Sequence, residues 1–361
     1  MREIRVRLFI ITFSLIAIGI VMIYSSSSLF AYEKYGDSAY FLKRHFLYMI
    51  IGIISATIFM SFDYIKLRKL SKPLLLVSIL LLTAVFIPGL GRTAGGARRW
   101  LSIGFLSFQP SEIAKLSLVL YAADVLSRKQ SEIKDFIYGF LPLIIALGIC
   151  TLLILAEPDL GTAVALSAMI IIMAFVAGVD IKHLGMIMLP GVLAFIGLIC
   201  MKPYRIRRVI AFWNPWKDPR GSGFQIVQSL IAIGSGGLFG VGLAHSKQKL
   251  FYLPEAHTDF IFSIISEELG LIGAFGVIAL FVVFIYIGFK IAYSARDLFG
   301  QFLAFGLVAM IALQAIINIA AVTGSIPTKG LPLPFISYGG TSLVYCIASV
   351  GLLLNIAKHR R

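Results

Sequence analysis

Charge is what this chain has least of. Asp, Glu, Lys and Arg make up only 14% of its 361 residues, against about a quarter in an average soluble domain. A soluble globular protein is thereby excluded. Cysteine is nearly absent. Cys150, Cys200 and Cys346 lie in or beside apolar runs without metal-ligand spacing, which excludes a disulfide scaffold and reads them as small apolar packing residues. The 13 prolines and 33 glycines are too few and too scattered for a fibrous or disordered chain. No internal repeat, heptad or low-complexity tract is visible. Gly234-Ser235-Gly236-Gly237 and Gly240-Val241-Gly242 give tight turns but lack the Gly-Lys-Ser/Thr ending of a P-loop, so no nucleotide site is read there.

What the chain has is apolar length. It is 59% hydrophobic with a mean hydropathy of +0.94. A spanning helix needs about 20 mostly apolar residues. Ten candidates fall near 8–25, 45–62, 71–88, 110–126, 138–156, 162–179, 184–201, 260–289, 299–322 and 335–356. The first is kept as a helix and not a signal peptide, because its apolar core is long and 25–31 is a poor cleavage site. The long stretch 260–289 suits one tilted helix or one extended beyond the bilayer. With the N-terminus in the cytoplasm, the short inner segments hold sixteen Lys/Arg and the short outer loops seven, which satisfies the positive-inside rule with both termini cytoplasmic.

The expectation is an all-α polytopic membrane protein of ten transmembrane helices, one membrane domain over 1–361, with a large extracytoplasmic loop, 202–259, between helices 7 and 8. The loop carries eight Lys/Arg (Lys202, Arg205, Arg207, Arg208, Lys217, Arg220, Lys247, Lys249) against Asp218, Glu255 and Asp259. Loops of this length usually have a function. Its segment 224–239 reads as an amphipathic or half-buried helix. The net charge of +15 fits topology and lipid headgroups.

Ionisable groups at membrane depth mark the places to look for chemistry. Four groups face outward. In Gly95-Gly96-Ala97-Arg98-Arg99-Trp100, two guanidiniums can bind phosphate oxygens and the glycines admit a ligand to the backbone; the plainer alternative is an interfacial anchor. Glu157-Pro158-Asp159, between spans five and six, can bind a metal or a sugar hydroxyl, or is a turn followed by Thr162 as N-cap. Tyr204-Arg205-Ile206-Arg207-Arg208 with Phe212-Trp213-Asn214-Pro215-Trp216 suits a diphosphate and a lipid or sugar ring, or again an anchor. Glu255-Ala256-His257-Thr258-Asp259 precedes the eighth span. Asp259 there is a candidate general base, with helix capping by Thr258 or Asp259 as the alternative; His257 reads first as a packed residue. Lys329 is a candidate anion ligand, and Ser337 belongs to a small-residue turn before the last span. Gln314 and Asn318, four apart on span nine, read as hydrogen-bonding within the bundle.

Read together and in order, these groups resemble the SEDS family (shape, elongation, division and sporulation), the FtsW/RodA type. The resemblance rests on Gly-Ala-Arg-Arg-Trp, Phe-Gln-Pro-Ser-Glu at 108–112, Glu-Pro-Asp-Leu-Gly-Thr, Tyr-Arg-x-x-Arg, Pro-Glu-Ala-His-Thr-Asp-Phe and Ile-Ser-Tyr-Gly-Gly. It covers nearly the whole chain. Ser246-Lys247-Gln248-Lys249 and Ala256-His257-Thr258 resemble the division and sporulation branch more than the elongation branch. Phe251 stands where many division-type members carry an acid, so that acid's role does not transfer.

The resemblance implies a peptidoglycan glycosyltransferase that polymerises lipid II, leaving undecaprenyl diphosphate, at the outer face of the bacterial cytoplasmic membrane. It implies a class B penicillin-binding protein as partner, with other divisome or elongasome membrane proteins, and no nucleic acid. It places Asp259 in catalysis. Substrate ligands are then expected among Arg98, Arg99, Glu157, Asp159, Arg205, Arg208, Glu255, His257, Lys329 and Ser337. A departing diphosphate needs countercharge, from arginines or from a divalent cation, Mg²⁺ or Mn²⁺. The rival readings are a lipid II flippase, which calls for polar or broken helices near the midplane, and a non-catalytic scaffold of the cell-wall synthesis complex.

Overall fold

The computed structural model describes residues 2–94, 97–104, 106–201 and 203–359. The glycine pair 95–96, Lys202 and the C-terminal Arg360 and Arg361 therefore lie outside the described residues. The chain runs α1 (Arg2–Tyr35), α2 (Tyr40–Ser61), α3 (Tyr64–Ala84), β1 (Gly91–Ala94), β2 (Ala97–Ile103), β3 (Leu106–Phe108), α4 (Pro110–Arg128), α5 (Leu141–Ala156), α6 (Leu160–Ala177), α7 (Ile181–Cys200), α8 (Pro203–Trp213), α9 (Phe224–Ser235), α10 (Ile261–Tyr293), α11 (Leu298–Val322) and α12 (Gly340–Lys358). A π-helical turn, Phe136–Phe140, leads directly into α5.

Among the described residues, eight helices are long and apolar enough to cross a membrane. The remaining two expected spans, α3 and α4, are present as helices of 21 and 19 residues. Their charges, Lys66 to Lys72 on one and Glu112, Lys115, Asp124 and Arg128 on the other, lower their hydropathy. The chain is a multi-pass membrane protein, and its helices fall on the ten expected segments. The first extends well past the expected end, to Tyr35, because the serines at 25–27 do not break it; Ser26 and Ser27 return their hydroxyls to Met22 O and Ile23 O at 2.6 and 2.7 Å.

α11 and α12 are the buried centre of the bundle, whereas α7 exposes nearly all of its surface. α12 lies along α2 on a seam of small residues: a β-carbon on Gly351 would stand 2.6 Å from the Ala56 Cα, so only glycine allows the approach. Small-residue seams are how helices pack without a hydrophobic drive from water.

Two expectations are corrected. The segment before α4 is not an open loop but a three-stranded antiparallel sheet in the order β1-β2-β3. It is pinned to α2 by Tyr48, whose hydroxyl donates to Ser107 O at 2.6 Å. The stretch 260–289 is not one continuous helix. Gly270 has φ 67° and ψ −168°, which breaks α10 into a short N-terminal half, 261–269, and a long C-terminal rod, 271–293. Glycine populates such a conformation at little cost, and other residues do not. α9 is amphipathic as expected, burying Ile226, Val227, Ser229 and Ala232.

Candidate active site

A cavity of about 430 Å³ is lined by Arg44, Arg92, Arg99, Asp159, Glu255 and Asp259, with Tyr48, Gln109, Glu112 and Tyr338 among its walls. Arg92 and Arg99 come from β1 and β2, and the others lie near the starts of α2, α4, α6, α10 and α12. Five helix N-termini thus gather around one space, and their dipoles favour bound anions.

Asp259 precedes the first turn of α10, but it does not cap the helix. The N-cap position is Phe260, without a side-chain cap. No hydrogen bond reaches the Asp259 carboxylate among the described residues. Its backbone is held instead: Asn318 Nδ2 donates to Asp259 O at 2.8 Å and to Leu331 O at 2.7 Å. Gly330 crowds the carboxylate so closely that a β-carbon there would sit 3.0 Å from Oδ2. Burial raises the Asp259 pKa to about 7; Glu255 and Asp159 push the same way, and Arg208 and Arg99 oppose them. A carboxylate fixed by its backbone, free of side-chain partners and titrating near neutrality has the properties of a general base.

Thr258 does not cap either. Its hydroxyl lies 2.8 Å from Glu255 Oε2, and its carbonyl accepts from Ser337 Oγ at 2.6 Å. Ser337 also accepts from Leu333 N–H at 2.8 Å. The bond to Thr258 ties the loop before α12 to the loop before α10, the bond from Leu333 lies within the α12 loop, and Ser337 is not in the cavity wall. His257 also sits behind the wall. Its ring packs against Phe41 and Phe30, with centroids 4.5 and 5.7 Å away, and burial lowers its pKa to about 4. The imidazole is therefore neutral and packed at physiological pH.

The acidic pair between α5 and α6 is divided. Asp159 faces the cavity and caps α6, accepting from Thr162 N–H at 3.1 Å and Thr162 Oγ1 at 2.9 Å; the cap is Asp159 and not the expected Thr162. Glu157 points inward, 1% exposed. Burial raises its pKa to about 8, Asp159 adding to the rise and Arg99 opposing it.

The arginine pair is divided as well. On a strand, adjacent side chains point to opposite faces. Arg99 turns into the cavity, donating from Nε to Glu157 O at 3.0 Å and from Nη2 to Pro158 O at 2.6 Å, with Nη1 3.9 Å from Asp159 Oδ2. Arg98 is exposed and outside the lining.

The basic group of the long loop forms α8, beside the cavity and not in its wall. Arg205 donates to Leu198 O at 2.7 Å, satisfying a carbonyl at the C-terminal end of α7, where a cation is favoured. Arg208 is exposed, yet near enough to Asp259 to lower its pKa. Lys329 packs over the Phe195 ring at 5.4 Å outside the lining; burial lowers its pKa while Asp159 opposes the fall.

Three lining residues carried no separate signal in the sequence. Arg44 and Arg92 were legible only as loop charges, and Tyr338 only as part of a small-residue motif. Arg44 stacks over Tyr40 at 4.9 Å. Glu112 lines the cavity floor and pairs with the fully buried Lys115 at 2.7 Å; Lys115 also donates to Gln314 at 3.1 Å. Gln314 and Asn318 thus hydrogen-bond within the bundle, as their spacing predicts. Among the described residues, no three His, Cys, Asp or Glu side chains converge to hold a metal ion.

A polytopic helical bundle with a charged cavity where five helix N-termini meet defines the class. The chain belongs to the FtsW/RodA/SpoVE cell cycle protein family, whose model matches residues 6–361. It is 48% identical to the stage V sporulation protein E of Bacillus subtilis (strain 168), over 98% of this chain and 97% of that one. It is 46% identical to the probable peptidoglycan glycosyltransferase FtsW of Geobacter sp. (strain M18), over 95% and 94%. Among solved structures, a chain of a peptidoglycan synthase complex that coordinates polymerization and crosslinking superposes with a TM-score of 0.79 at 29% identity, covering 97% of this chain and 96% of that one. The rod shape determining protein RodA of Thermus thermophilus superposes at 0.72 with 27% identity, covering 98% and 96%.

Proposed function

We propose that this protein is a peptidoglycan glycosyltransferase that polymerises lipid II, with the cavity as its active site. The observation that carries the reading is the pairing, in one cavity, of an unpartnered Asp259 titrating near 7 with the guanidiniums of Arg44, Arg92 and Arg99. In the ionised form Asp259 removes the proton from the acceptor sugar's 4-hydroxyl. That oxygen attacks the anomeric carbon of the donor strand. The bond from that carbon to the diphosphate oxygen breaks, and undecaprenyl diphosphate leaves with the electron pair. Its charge meets the guanidiniums and the helix N-termini, which supply electrostatic stabilisation to the leaving group. The substrate arrives already activated, so the reaction needs no nucleotide.

The relatives' names support the enzyme class, and the likeness to a chain of a peptidoglycan synthase complex supports a penicillin-binding protein as partner. The class B identity of that partner, further divisome or elongasome contacts and cytoplasmic termini belong to this proposal. So do substrate contacts by Arg98, Arg205, Arg208 and Lys329, which lie outside the cavity lining and would meet a lipid-linked substrate larger than the cavity.

The test is lipid II polymerisation in detergent, with the protein purified alongside its penicillin-binding partner, comparing wild type with Asp259→Asn. Micelles have no leaflets, so transport cannot imitate polymerisation. Glycan strands from wild type and none from the folded variant support the reading. A silent wild type with its partner bound refutes it and favours the flippase or the scaffold.

A further inference from the structure

The N-terminal half of α10, which follows Asp259 directly, is cut off from the rest of its helix. A helix of this length is marginal in isolation, and Gly270 removes its continuity with the C-terminal rod. Its last carbonyls have no helical partners past the break. The loop 236–242 supplies them: Val241 N–H donates to Glu267 O at 3.0 Å and Gly242 N–H to Glu268 O at 3.1 Å. The same loop serves the other side of the break, where Leu271 N–H donates to Gly237 O at 2.9 Å. The approach is so close that a β-carbon on Gly236 would meet Ser266 O at 1.9 Å, and one on Gly240 would meet Glu268 O at 2.1 Å.

At this break stand two acids, Glu267 and Glu268, both buried. Carboxylates at a helix C-terminus oppose its dipole, so helix stability alone would not select them. Each is nevertheless fully engaged. Glu267 accepts from Lys247 N–H at 2.9 Å and Gln248 N–H at 3.4 Å, and it bonds the Ser246 hydroxyl. Glu268 is 0% exposed and pairs with Lys249 Nζ at 2.7 Å. It also accepts from Ser25 Oγ of α1 at 2.7 Å, and Lys249 donates to the same Ser25 at 3.0 Å. The Ser246-Lys247-Gln248-Lys249 run, which composition left as surplus basic loop, thus closes on the break.

We infer that Glu267, Glu268, Lys249 and Ser25 form a clamp that positions the N-terminal half-helix, and that they act on the reaction through Asp259 as positioning residues. The half-helix spans about 13 Å at ~1.5 Å per residue, so the clamp grips one end and Asp259 stands at the other. With the clamp closed, Asp259 stays in the cavity wall facing Glu255 on its own loop, Asp159 before α6, Arg99 on β2 and Arg208 on α8. With it open, the half-helix frays and water reaches the carboxylate. This consequence for catalysis rests on the proposed function; the positioning itself does not.

The test is site-resolved labelling of the full-length protein with dicyclohexylcarbodiimide, which reacts with protonated carboxyls, read by mass spectrometry across pH. Wild type is expected to label at Asp259 with a midpoint near 7. In Glu268→Ala and Lys249→Ala the midpoint is expected to fall by at least about one pH unit, toward ordinary carboxylates. The Glu157 midpoint, near 8, is expected to stay put as internal control, because Glu157 ends α5, which packs mainly on α3, α4 and α6. The exchanged pair Lys249→Glu with Glu268→Lys is expected to restore the midpoint at least in part. If an alanine variant does not fold, Glu268→Gln keeps its volume and removes the charge. Polymerisation in the same samples is expected to show kcat down at least tenfold with KM for lipid II little changed. An Asp259 midpoint unmoved in folded variants overturns the clamp whether or not wild type polymerises. A moved midpoint with unchanged kcat overturns its role in the reaction. A silent wild type refutes the proposed function while the midpoints still decide the clamp.

Discussion

Among the described residues, Asp259 accepts no hydrogen bond on its carboxylate and caps no helix, so its replacement isolates chemistry better than its position before α10 suggested. Asp259→Asn is expected to lower polymerisation by about 10²–10⁴-fold, the usual range for losing a general base, with the bundle intact by size exclusion. The base works only when ionised, so wild-type kcat should rise with pH through about 7. Stability should move the opposite way. A carboxyl whose pKa is raised on folding favours the folded state while protonated, and that contribution fades as pH climbs from the ordinary value near 4 through about 7. Asp259→Asn should therefore melt higher than wild type at pH 8 and show a smaller difference at pH 5, measured by thermal denaturation in detergent. Of the arginines, Arg99 makes two carbonyl bonds and faces Asp159, whereas Arg208 is exposed. Arg99→Ala should lower both activity and melting temperature, and Arg208→Ala activity alone. Near-normal polymerisation by Arg208→Ala would remove that residue from substrate binding.

At the scale of elements, the site depends on loops tied to neighbouring helices. Asn318 of α11 joins the backbone at Asp259 to that at Leu331. Asn318→Leu keeps the forked shape of the side chain but leaves two carbonyls unpaired, at about 1–3 kcal/mol each. The expected result is a lower melting temperature together with a reduced kcat; an unchanged kcat in the folded variant would show that Asp259 needs no tie to α11. The break in α10 is equally specific. Gly240 has φ 82° and sits against the Glu268 carbonyl, so Gly240→Ala meets both strain and a clash. It should destabilise the protein by at least about 1–3 kcal/mol, read as a fall in the unfolding midpoint.

At the scale of the molecule, the proposed topology puts the cavity outside and both termini in the cytoplasm. With the three native cysteines replaced by serine, a cysteine at Thr93 should react with a membrane-impermeant maleimide in intact cells, and one at Lys134 only after permeabilisation. The reverse pattern would invert the protein and remove the cavity from the outer face. α7 packs so lightly on the bundle that nearly all of its apolar surface faces away from the other helices.

The sequence alone determined the membrane class, the positions of the spans and the family, because hydropathy and the order of short motifs are properties of the chain taken one residue after another. It also singled out Asp259, Asp159, Arg99 and Glu255, which the fold brings into one cavity. Tertiary structure decided the rest. A strand sent Arg98 and Arg99 to opposite faces, which no reading of a glycine-flanked loop provides. Burial and aromatic packing settled His257 as a neutral core group. Arg44, near the start of α2, and Arg92, on β1, joined the site only through segments remote in sequence, and the break at Gly270 depended on a glycine loop some thirty residues upstream entering it. Periodicity and motif spacing report local geometry; a cavity, a shared carboxylate environment and a clamped half-helix arise from contacts between distant segments, and these exist only once the chain has folded.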